Sequence, residues 1–421
     1  MGISRDYKQT EIGRIPREWE VVRIKDIGKV FTGKTPSTSK DIYWNGDIPF
    51  VTPEDMTGEK YVYRTNRYVS FEGANQSGKI LPPNTVLVVC IGSTVGKVAL
   101  THKKSVTNQQ INSVLCKEKV DHDYVYYAIS YRSYMLKNYS GVAAVPIVKK
   151  SLFEEFKIPL PQKITEQQKI AEILSTVDEA IEKVDEAIAK TERLKKGLMQ
   201  ELLTKGIGHK EFKDTEIGRI PKEWEVVRLE SLISEIKNGF ASGKRDENGI
   251  VQIRMNNVTT DGQLILDSYL KVPIPDNVDD WILKEGDFLF NNTNSYDLVG
   301  KSTIFKGAPF PCTFSNHFTR IRFKKELVLP ELILYHFLLL WEKGYFKSVA
   351  IRHVGQAAVH NKYLLKLKLP LPPLSEQQKI AEILSTIDKR LELLKVKKER
   401  LERVKKGLMN DLLTGRRRVK T

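Results

Sequence analysis

Cysteine is scarce in this chain of 421 residues, which has three, and they stand far apart. Cys90, Cys116 and Cys312 form no CxxC pair, so neither a disulfide framework nor a zinc site is indicated. We expect three buried free thiols. The seven histidines show no metal-ligand spacing either. We therefore expect no metal and no other cofactor.

Long apolar runs are also missing. The longest, TVLVVCIG at 85–92 and LILYHFLLLW at 332–341, are too short to span a bilayer. The first residues, MGISRDYKQTEIG, contain no hydrophobic segment of the kind found in a signal peptide, so no secretory signal is visible. A cytoplasmic protein with no membrane partner is therefore the default expectation.

Motifs of catalysis are absent from the sequence as well. GKS at 300–302 resembles the end of a phosphate-binding loop, but Ser295 stands where that loop needs glycine. GSTVGK at 92–97 has one residue too few between its glycines. No H-E-x-x-H, no G-x-S-x-G and no adenine-methyltransferase N/D-P-P-Y/F motif occurs. We therefore expect a protein that binds and does not catalyse.

Positive charge, in contrast, is plentiful. Lys and Arg outnumber Asp and Glu by 68 to 52, which gives a net charge of +16. Hydrophobic residues make up 41% of the chain, enough for packed cores. Much of the charge is interleaved with acidic residues on predicted helices, where it faces water. The excess still indicates an anionic partner, and nucleic acid is the commonest one for a soluble protein.

The sequence follows one plan twice, and the near-identical strings lie at the ends of each copy. The repeated strings are TEIGRIPREWEVVR at 10–23, which returns at 215–228 with Lys222 in place of Arg17; EQQKIAEILST at 166–176 and 376–386; and KKGLMQELLT at 195–204, which returns as KKGLMNDLLT at 405–414. The stretches between them differ. This pattern indicates two copies of one domain, of which only the middle was free to diverge.

The diverged stretches keep faint landmarks. These are Gly96-Lys97 with Gly300-Lys301, TNQQINSVL at 107–115 with FSNHFTRIR at 314–322, and GVAAV at 141–145 with GQAAV at 355–359. The repeated strings also preserve polar positions that a helical core does not need. Matching polar surfaces suggest that both copies face the same kind of partner, whereas the diverged middles suggest that each copy recognises something different.

A long helix is predicted after each PLP turn, at 159–161 and at 370–372. Apolar residues recur there at heptad spacing, in the lines Ile170, Val177, Val184, Thr191, Leu198 and Ile380, Ile387, Leu394, Leu401, Leu408. This spacing predicts coiled-coil helices of roughly 40 residues, about 60 Å long. If the two copies are related by a two-fold axis, the helices pack antiparallel and the N- and C-termini become neighbours.

A diverged domain, then PLP, then EQQKIAEIL and a long helix, all of it twice, resembles the specificity subunit of type I restriction-modification enzymes. The resemblance covers essentially the whole chain. It implies two target-recognition domains, each of which reads one half of a bipartite target in double-stranded DNA. It also implies that the repeated helices set the spacing and dock two methyltransferase (modification) subunits, with restriction subunits as further partners. Methylation, ATP hydrolysis and cleavage would belong to those partners, so this chain is expected not to be an enzyme.

The predicted fold class is α+β, with two globular mixed α/β target-recognition domains joined by two long helices that pack as an antiparallel coiled coil. A pseudo-two-fold internal repeat with neighbouring termini completes the prediction. The predicted boundaries are 1–160 for the first domain, 161–208 for the first spacer helix, 209–372 for the second domain, and 373–421 for the second helix with a basic tail. That tail, RRRVK at 416–420, is expected to be frayed and to touch DNA.

Base recognition uses Arg or Lys against guanine and Asn or Gln against adenine, from loops that reach a groove. The DNA-binding candidates are Lys34, Thr35, Lys97, Asn108, Gln109 and Gln110 in the first domain, and Lys244, Arg245, Arg254, Asn256, Asn257, Lys301, Asn316, His317, Arg352 and His353 in the second. The amides are the base-reading candidates and the lysines the phosphate-binding candidates. The candidate partner contacts on the helices are Gln167, Lys169, Glu172, Gln377, Lys379 and Glu382.

Two other functions also fit the sequence. A plain DNA- or RNA-binding scaffold without a methyltransferase partner predicts binding that does not require a bipartite sequence. A coiled-coil adaptor between proteins, whose basic charge serves solubility, predicts no salt-sensitive binding to nucleic acid. A fused enzyme is disfavoured by the missing motifs.

Overall fold

The computed structural model describes residues 6–139 and 145–420, and it has a mixed α/β architecture in two compact units. Unit 1 comprises Met1–Glu186 and Val396–Thr421, and unit 2 comprises Ala187–Lys395. Each unit therefore contains one repeated domain together with part of each long helix. None of the helices in the described part combines the length and the hydropathy of a membrane span.

The first domain and the helix that follows it contain twelve strands and six helices among the described residues. The strands are β1 (Tyr7–Thr10), β2 (Gly13–Pro16), β3 (Glu20–Arg23), β4 (Gly28–Thr32), β5 (Trp44–Val51), β6 (Tyr61–Val62), β7 (Arg67–Val69), β8 (Val86–Val89), β9 (Val98–Thr101), β10 (Val106–Thr107), β11 (Ile111–Cys116) and β12 (Lys157–Leu160). The helices are α1 (Ile24–Ile27), α2 (Phe71–Gln76), α3 (His122–Arg132), α4 (Tyr134–Tyr139), α5 (Lys150–Glu154) and α6 (Ile164–Lys205).

Two sheets form the framework of unit 1. One has the strand order β4-β11-β8-β9-β6, and the other has the order β10-β5-β7. All four residues of β8 are buried, because this strand lies inside its sheet and carries a run of Val and Leu. The helix α3 covers this sheet and contributes Tyr124 and Tyr127 to the core, where they meet Trp19 and Phe153. Burial of such side chains stabilises the unit by roughly 1.5–3 kcal/mol each.

The second domain and its helix repeat this layout. The strands are β13 (Phe212–Thr215), β14 (Gly218–Pro221), β15 (Glu225–Arg228), β16 (Ile233–Asn238), β17 (Ile250–Ile253), β18 (Leu270–Val272), β19 (Phe288–Asn291), β20 (Thr293–Asn294), β21 (Ser302–Ile304), β22 (Cys312–Phe314), β23 (Phe318–Phe323), β24 (Ile351–His353), β25 (Gln356–Ala358) and β26 (Lys368–Leu371). The helices are α7 (Leu229–Leu232), α8 (Pro330–Glu342), α9 (Tyr345–Val349), α10 (Asn361–Leu365) and α11 (Leu374–Leu413).

Seven strands in the two main sheets of unit 2 correspond to strands of unit 1, whereas β6 has no counterpart in the strand orders described for unit 2. The order β16-β23-β19-β21 corresponds to β4-β11-β8-β9, and β18-β17-β22 corresponds to β7-β5-β10. In both units the central strand of the smaller sheet has one parallel neighbour, β10 beside β5 and β22 beside β17. The equivalence of TNQQINSVL and FSNHFTRIR is therefore confirmed, since these strings follow the same strand in each unit.

One landmark of the sequence is shifted in the structure. Val148 donates its backbone N–H to Cys90 O at 2.7 Å, and Val359 donates to Asn292 O at 2.8 Å. The backbone N–H of Cys90 donates to Gln110 O, and that of Asn292 donates to His317 O, which is the equivalent position in unit 2. Val148 is thus equivalent to Val359, whereas the match of GVAAV with GQAAV had paired Val359 with a residue three positions earlier. Residues 141–144 of that match lie outside the described part of the chain.

The two long helices exist as predicted, with 42 residues in α6 and 40 in α11. Within unit 1, Asp178 pairs with Lys405 and Asp185 pairs with Lys398, each at 2.6 Å between carboxylate oxygen and Nζ. The residue numbers rise on one helix as they fall on the other, so these segments run in opposite directions. Leu412, near the end of α11, completes their apolar contact in the core of unit 1.

Unit 2 contains the matching ion pair between the same two helices. Lys195 of α6 pairs with Asp388 of α11 at 2.6 Å, and these are the repeat equivalents of the Lys and Asp that pair in unit 1. A tyrosine from the adjacent domain also reaches each aspartate. The Tyr335 hydroxyl donates to Asp388 at 2.8 Å in unit 2, and the Tyr127 hydroxyl donates to Asp178 at 2.7 Å in unit 1. Each unit therefore fastens its domain to both helices in the same way.

The basic tail is packed, and the prediction of a frayed tail was wrong. The guanidinium of Arg418 contacts Glu166 at 2.7 Å and Glu18 at 3.0 Å. The hydroxyl of Tyr7 donates to Gly415 O at 3.0 Å. Glu166 is almost fully buried at the start of α6, so a cation beside it offsets the cost of burying its charge. The first and last segments of the described chain thus contact each other inside unit 1.

The three cysteines are free, as predicted. Cys90 and Cys312 are buried and Cys116 is partly buried. Burial raises the pKa of Cys90 and Cys312 to about 11 and that of Cys116 to about 12. The thiols therefore stay protonated at neutral pH, and the thiolate that would react or bind a metal is scarce.

Candidate nucleic-acid interface

A cleft of about 740 Å³ opens in unit 1 where β5 and β10 end. These strands are parallel neighbours, so the residues that follow them emerge at the same edge of the sheet. The turn 52–55 follows β5, and Asn108 and Gln110 follow β10. Lys97 and Arg67 add two cations to the lining. The sheet topology thus gathers side chains from separate parts of the sequence around one opening.

Unit 2 has a cleft of about 710 Å³ at the equivalent edge, where β17 and β22 end. The turn 254–257 follows β17, and residues 315–317 follow β22. Arg245 adds a cation from the loop before β17. The two clefts are thus built from the same strands of the repeated fold.

The turn after the central strand is held by the same hydrogen bonds in both units. In the turn 52–55, the carboxylate of Asp55 accepts a hydrogen bond from the backbone N–H of the first residue at 2.8 Å. In the turn 254–257, the amide oxygen of Asn257 accepts the equivalent bond at 3.0 Å. The last residue of each turn also donates its N–H back to the first carbonyl. The backbone frame of the two clefts is therefore shared.

A close approach of two chain segments fixes a glycine beside each cleft. An added Cβ at Gly33 would lie 2.1 Å from Thr107 O, and one at Gly239 would lie 2.2 Å from Ser315 O. Real side chains do not tolerate such distances, so only glycine lets the segment after β4 or β16 pass this close. Lys34 and Thr35 follow directly in unit 1, which brings them to the edge of the cleft.

The side chains on this shared frame differ between the units. The equivalent pairs are Thr52 and Arg254, Glu54 and Asn256, Gln109 and Asn316, and Gln110 and His317. At three of these positions the chemical group changes: unit 1 has a hydroxyl, a carboxylate and an amide where unit 2 has a guanidinium, an amide and an imidazole. A conserved frame with divergent polar side chains is what two sites need if they bind the same class of ligand but distinguish different members of it.

The structure brings most of the predicted DNA-binding residues to these two clefts. The predicted residues that line them are Lys97, Asn108, Gln110, Arg245, Arg254, Asn256, Asn257, Asn316 and His317. Thr35 and Gln109 lie beside the first cleft, where the Thr35 hydroxyl donates to the Gln109 side-chain oxygen at 2.7 Å. Lys34 and Lys244 are exposed on neighbouring loops.

Two predicted residues stand apart on the strand β24. Arg352 and His353 are exposed and do not line the cleft of unit 2. The guanidinium of Arg352 lies 3.6 Å from the centre of the Tyr296 ring. Stacking of this kind holds a guanidinium in place and still leaves its N–H donors free for an anion.

Two of the predicted DNA contacts are structural residues. Lys301 is buried, and its Nζ donates to the carbonyls of Met255, at 2.8 Å, and Val258. These bonds fix the backbone of the turn 254–257 from the protein interior. Burial lowers the pKa of this amine. Asn257 is buried as well, and its Nδ2 donates to Ile265 O and Ser268 O. Neither side chain is available to DNA. Lys301 and Lys97 keep the same backbone position, since the carbonyl of each accepts from the last residue of the equivalent strand, Asn291 or Val89, but only the Lys97 side chain is exposed.

His317 and Arg254 both line the second cleft, and the charge of Arg254 acts on the His317 ring. Burial, followed by the charge of Arg254, lowers the pKa of His317 below its ordinary value. The imidazole is therefore neutral at pH 7, with one donor and one acceptor nitrogen. Arg254 donates to Ser242 O at 3.0 Å, which fixes its guanidinium at the cleft. The second cleft thus presents a fixed cation beside a neutral ring.

Among the cleft residues that sequence reasoning missed, two carry charges that matter for a ligand. Arg67 lies in the first cleft, with its guanidinium 5.1 Å from the centre of the Phe50 ring. Glu54 is the second, an acidic side chain that also lines this cleft. A signal for Glu54 did exist in the sequence, since the string TPED directly follows a predicted strand, as RMNN does in the second copy.

The candidate partner contacts divide into two groups, and the first is internal. Gln167 and Gln377 are buried, with side-chain hydrogen bonds that close the start of each long helix onto its own domain. Gln167 accepts from Asp121 N at 2.9 Å, and Gln377 accepts from Leu329 N at 3.0 Å. The identity of this position in the two copies follows from that internal contact. Both side chains are therefore internal, and the prediction that they contact a partner was wrong.

The second group is exposed. It consists of Lys169, Glu172, Lys379 and Glu382, which lie on the outer face of the two helices. Lys169 and Glu172 form an ion pair at 2.8 Å one turn apart. An exposed pair of this kind contributes little stability, so the recurrence of these residues in both copies is not explained by folding alone.

The described residues thus form two equivalent clefts that share one backbone frame and differ in their polar side chains. Comparison with known proteins identifies the class. The family model for the type I restriction modification DNA specificity domain matches residues 16–191 and again 221–403.

Relatives and solved structures agree with that match. The type I restriction enzyme MjaVIII specificity subunit of Methanocaldococcus jannaschii is 33% identical over 431 residues, covering 99% of this chain and 97% of that protein. The MjaIX specificity subunit of the same organism is 34% identical over 253 residues, covering 57% of each chain. The crystal structure of the type I restriction-modification S subunit from M. genitalium has a TM-score of 0.60 at 15% identity, covering 98% of both chains.

The chain belongs to the family of type I restriction-modification DNA specificity subunits. Recognition of a DNA sequence is its role, and catalysis lies in partner subunits. The expectations of a non-catalytic chain and of DNA as its partner are confirmed by this assignment.

Proposed function

We propose that each unit reads one half of a bipartite sequence in double-stranded DNA through its own cleft. The observation that carries this proposal is the pair of equivalent clefts, which share a turn held by the same hydrogen bonds and differ in the side chains on it. If both units read the same half-site, the side chains that line the two clefts would be alike. Divergence on a constant frame instead supports two different half-sites.

The exposed cations and the polar side chains of the clefts have different roles on DNA. Exposed cations at Lys34, Lys97, Lys244, Arg245 and Arg352 bind phosphates, since such contacts carry affinity but no sequence information. The polar side chains inside the clefts face base edges, which carry the sequence information. The excess of positive charge over the whole chain, +16, supports the same partner.

The long helices act as the spacer between the two half-sites. An antiparallel coiled coil with a pseudo-two-fold relation between the copies is supported by the same Asp–Lys pair in each unit, Asp178 with Lys405 and Asp388 with Lys195. The domain boundaries at 160, 208 and 372 follow from this arrangement. A two-fold relation presents the two domains to opposite DNA strands, so two identical methyltransferases modify one base on each.

Two methyltransferase subunits dock on the outer faces of the helices, and restriction subunits join that complex in the cytoplasm. The exposed residues that recur in both copies support this docking surface, namely Lys169, Glu172, Lys379 and Glu382. Because they occupy equivalent positions, one kind of partner surface binds at both places.

The test is the methylome of a host that expresses this chain with its cognate modification subunit. We expect one methylated bipartite motif. Exchange of residues 24–156 for those of another family member should change one half of the motif and leave the other half and the spacer unchanged. The reciprocal exchange in the second domain is the matched control.

Three outcomes oppose the proposal. A motif without two separated halves would show that the two clefts do not act as separate readers. A change in both halves after one exchange would show the same. No methylation from a modification subunit that is active with another specificity chain would favour a plain scaffold.

A further inference from the structure

The two clefts differ in charge at one equivalent position. Glu54 and Asn256 are each the third residue of the turn that follows the central strand of the smaller sheet. Both are exposed and both line their cleft. Within residues 6–139 and 145–420, neither side chain has a hydrogen bond or ion pair. The fold thus offers two free polar groups of different chemistry at the same place.

The carboxylate of Glu54 is the unusual member of the pair. A negative charge near DNA is repelled by the phosphates, so it is retained without cost only where a donor meets it. Its neighbour Asp55 is already engaged, since it accepts from Asn66 N at 2.8 Å as well as from within its own turn. Glu54 is therefore the carboxylate of this turn that remains available to a ligand.

The amides of the first cleft are less free than Glu54. Asn108 donates to the side-chain oxygen of Gln110 at 2.8 Å, and its own oxygen accepts from Gln110 N at 3.0 Å. Gln109 accepts from the hydroxyl of Thr35. These amides support one another, so they hold the shape of the cleft. Glu54 stands outside that network.

Base edges in the major groove match the two free groups in different ways. Cytosine presents an amino group at N4, which donates and suits a carboxylate acceptor. Adenine presents a donor at N6 beside an acceptor at N7, which suits a side-chain amide. Glu54 has only acceptors, whereas Asn256 has both a donor and an acceptor.

We propose that this turn position selects a base in each half-site, and that Glu54 accepts a hydrogen bond from a cytosine amino group while Asn256 pairs with an adenine. This inference rests on the proposed function, in which each cleft reads one half-site. It assigns a specific base to a specific residue in each half and so goes beyond the division of the target into halves.

Exchange of the two residues tests the assignment. The full chain carrying Glu54→Asn, in complex with its cognate modification subunit, should replace cytosine by adenine at one position of the half-site read by unit 1. Asn256→Glu should make the reverse change in the other half-site. Preference at the affected position should invert by roughly 5- to 150-fold, the range expected for one base-specific contact. The methylome of each variant gives this preference directly.

The controls separate the possible failures. Glu72→Asn changes an exposed carboxylate on α2, away from the cleft lining, and should leave the motif unchanged. Glu54→Gln keeps the length of the side chain and should also weaken the preference for cytosine. The thermal unfolding of each variant shows whether the chain still folds.

The outcomes are distinguishable. A wild-type motif without two halves would refute the proposed function itself. A bipartite wild-type motif that stays the same in both Glu54 variants and in Asn256→Glu would overturn this inference alone. Loss of all methylation by a variant that unfolds at the wild-type temperature would also overturn it, because the position would then serve docking in general. Loss of a cytosine preference at one position of the first half supports it, with or without a new preference for adenine, whereas a change at a position where the wild-type motif has another base overturns it.

Discussion

Truncation of the buried glutamine at the start of α11 should destabilise unit 2 measurably. The Gln377 side chain is 0% exposed and forms three hydrogen bonds. It accepts from Leu329 N at 3.0 Å, and it donates to Leu327 O at 3.0 Å and Pro372 O at 2.9 Å. Gln377→Ala leaves all three backbone groups without this partner. At about 1 kcal/mol for each bond, the free energy of unfolding should fall by roughly 3 kcal/mol.

The effect should be visible as a lower melting temperature. A unit the size of Ala187–Lys395 loses about 2–4 °C for each kcal/mol, so Gln377→Ala should melt roughly 6–12 °C lower in scanning calorimetry. The adjacent Gln378 is exposed on the same helix turn, and Gln378→Ala is the matched control with an expected change of about 1 °C or less. Equal melting temperatures for the two variants would refute the assignment of an internal role to the buried glutamine.

Three further predictions concern the stability of each unit by itself. Tyr335→Phe removes the hydrogen bond to the helix carboxylate and should cost about 1.5 kcal/mol in urea unfolding, with no change in the far-UV spectrum. Burial lowers the pKa of His336 to about 4. The unfolded chain therefore binds more protons, so stability should fall by about 1.5 kcal/mol from pH 6.5 to pH 5, and His336→Leu should abolish this loss in pH-dependent unfolding. Arg418→Ala leaves the buried Glu166 without its cation and should cost about 1–2 kcal/mol, whereas the more exposed Arg417→Ala should not.

The long helices could be predicted from the sequence because their signal is local. Heptad lines such as the one from Ile380 to Leu408 need only the spacing of apolar residues, and α11 covers that whole line. The internal repeat likewise needs only comparison of the chain with itself. The strand pattern that aligns the turns after β10 and β22 was also detectable, because those strings keep similar polar and apolar positions.

The division of labour inside the clefts could not be predicted from sequence. Lys97 and Lys301 occupy matching positions in the sequence, yet one is exposed and the other is buried against backbone carbonyls. Gln167 and Gln168 are adjacent and identical, yet only the first is buried. Such differences depend on which carbonyls and amides the tertiary fold leaves without a partner, and no local pattern records that. The place of Glu54 in its cleft also depends on the tertiary fold, which brings the turn 52–55 beside Asn108 and Gln110.

The most direct test of two separate readers is a crosslinking measurement on the bound complex. A photoreactive amino acid is placed at position 54 or at position 256, and the complex is bound to duplex DNA that carries the methylated motif. The crosslink from position 54 should map to one half-site and that from position 256 to the other half-site. Crosslinks from both positions to the same half-site, or none from either in a complex that binds the DNA, would contradict the central claim.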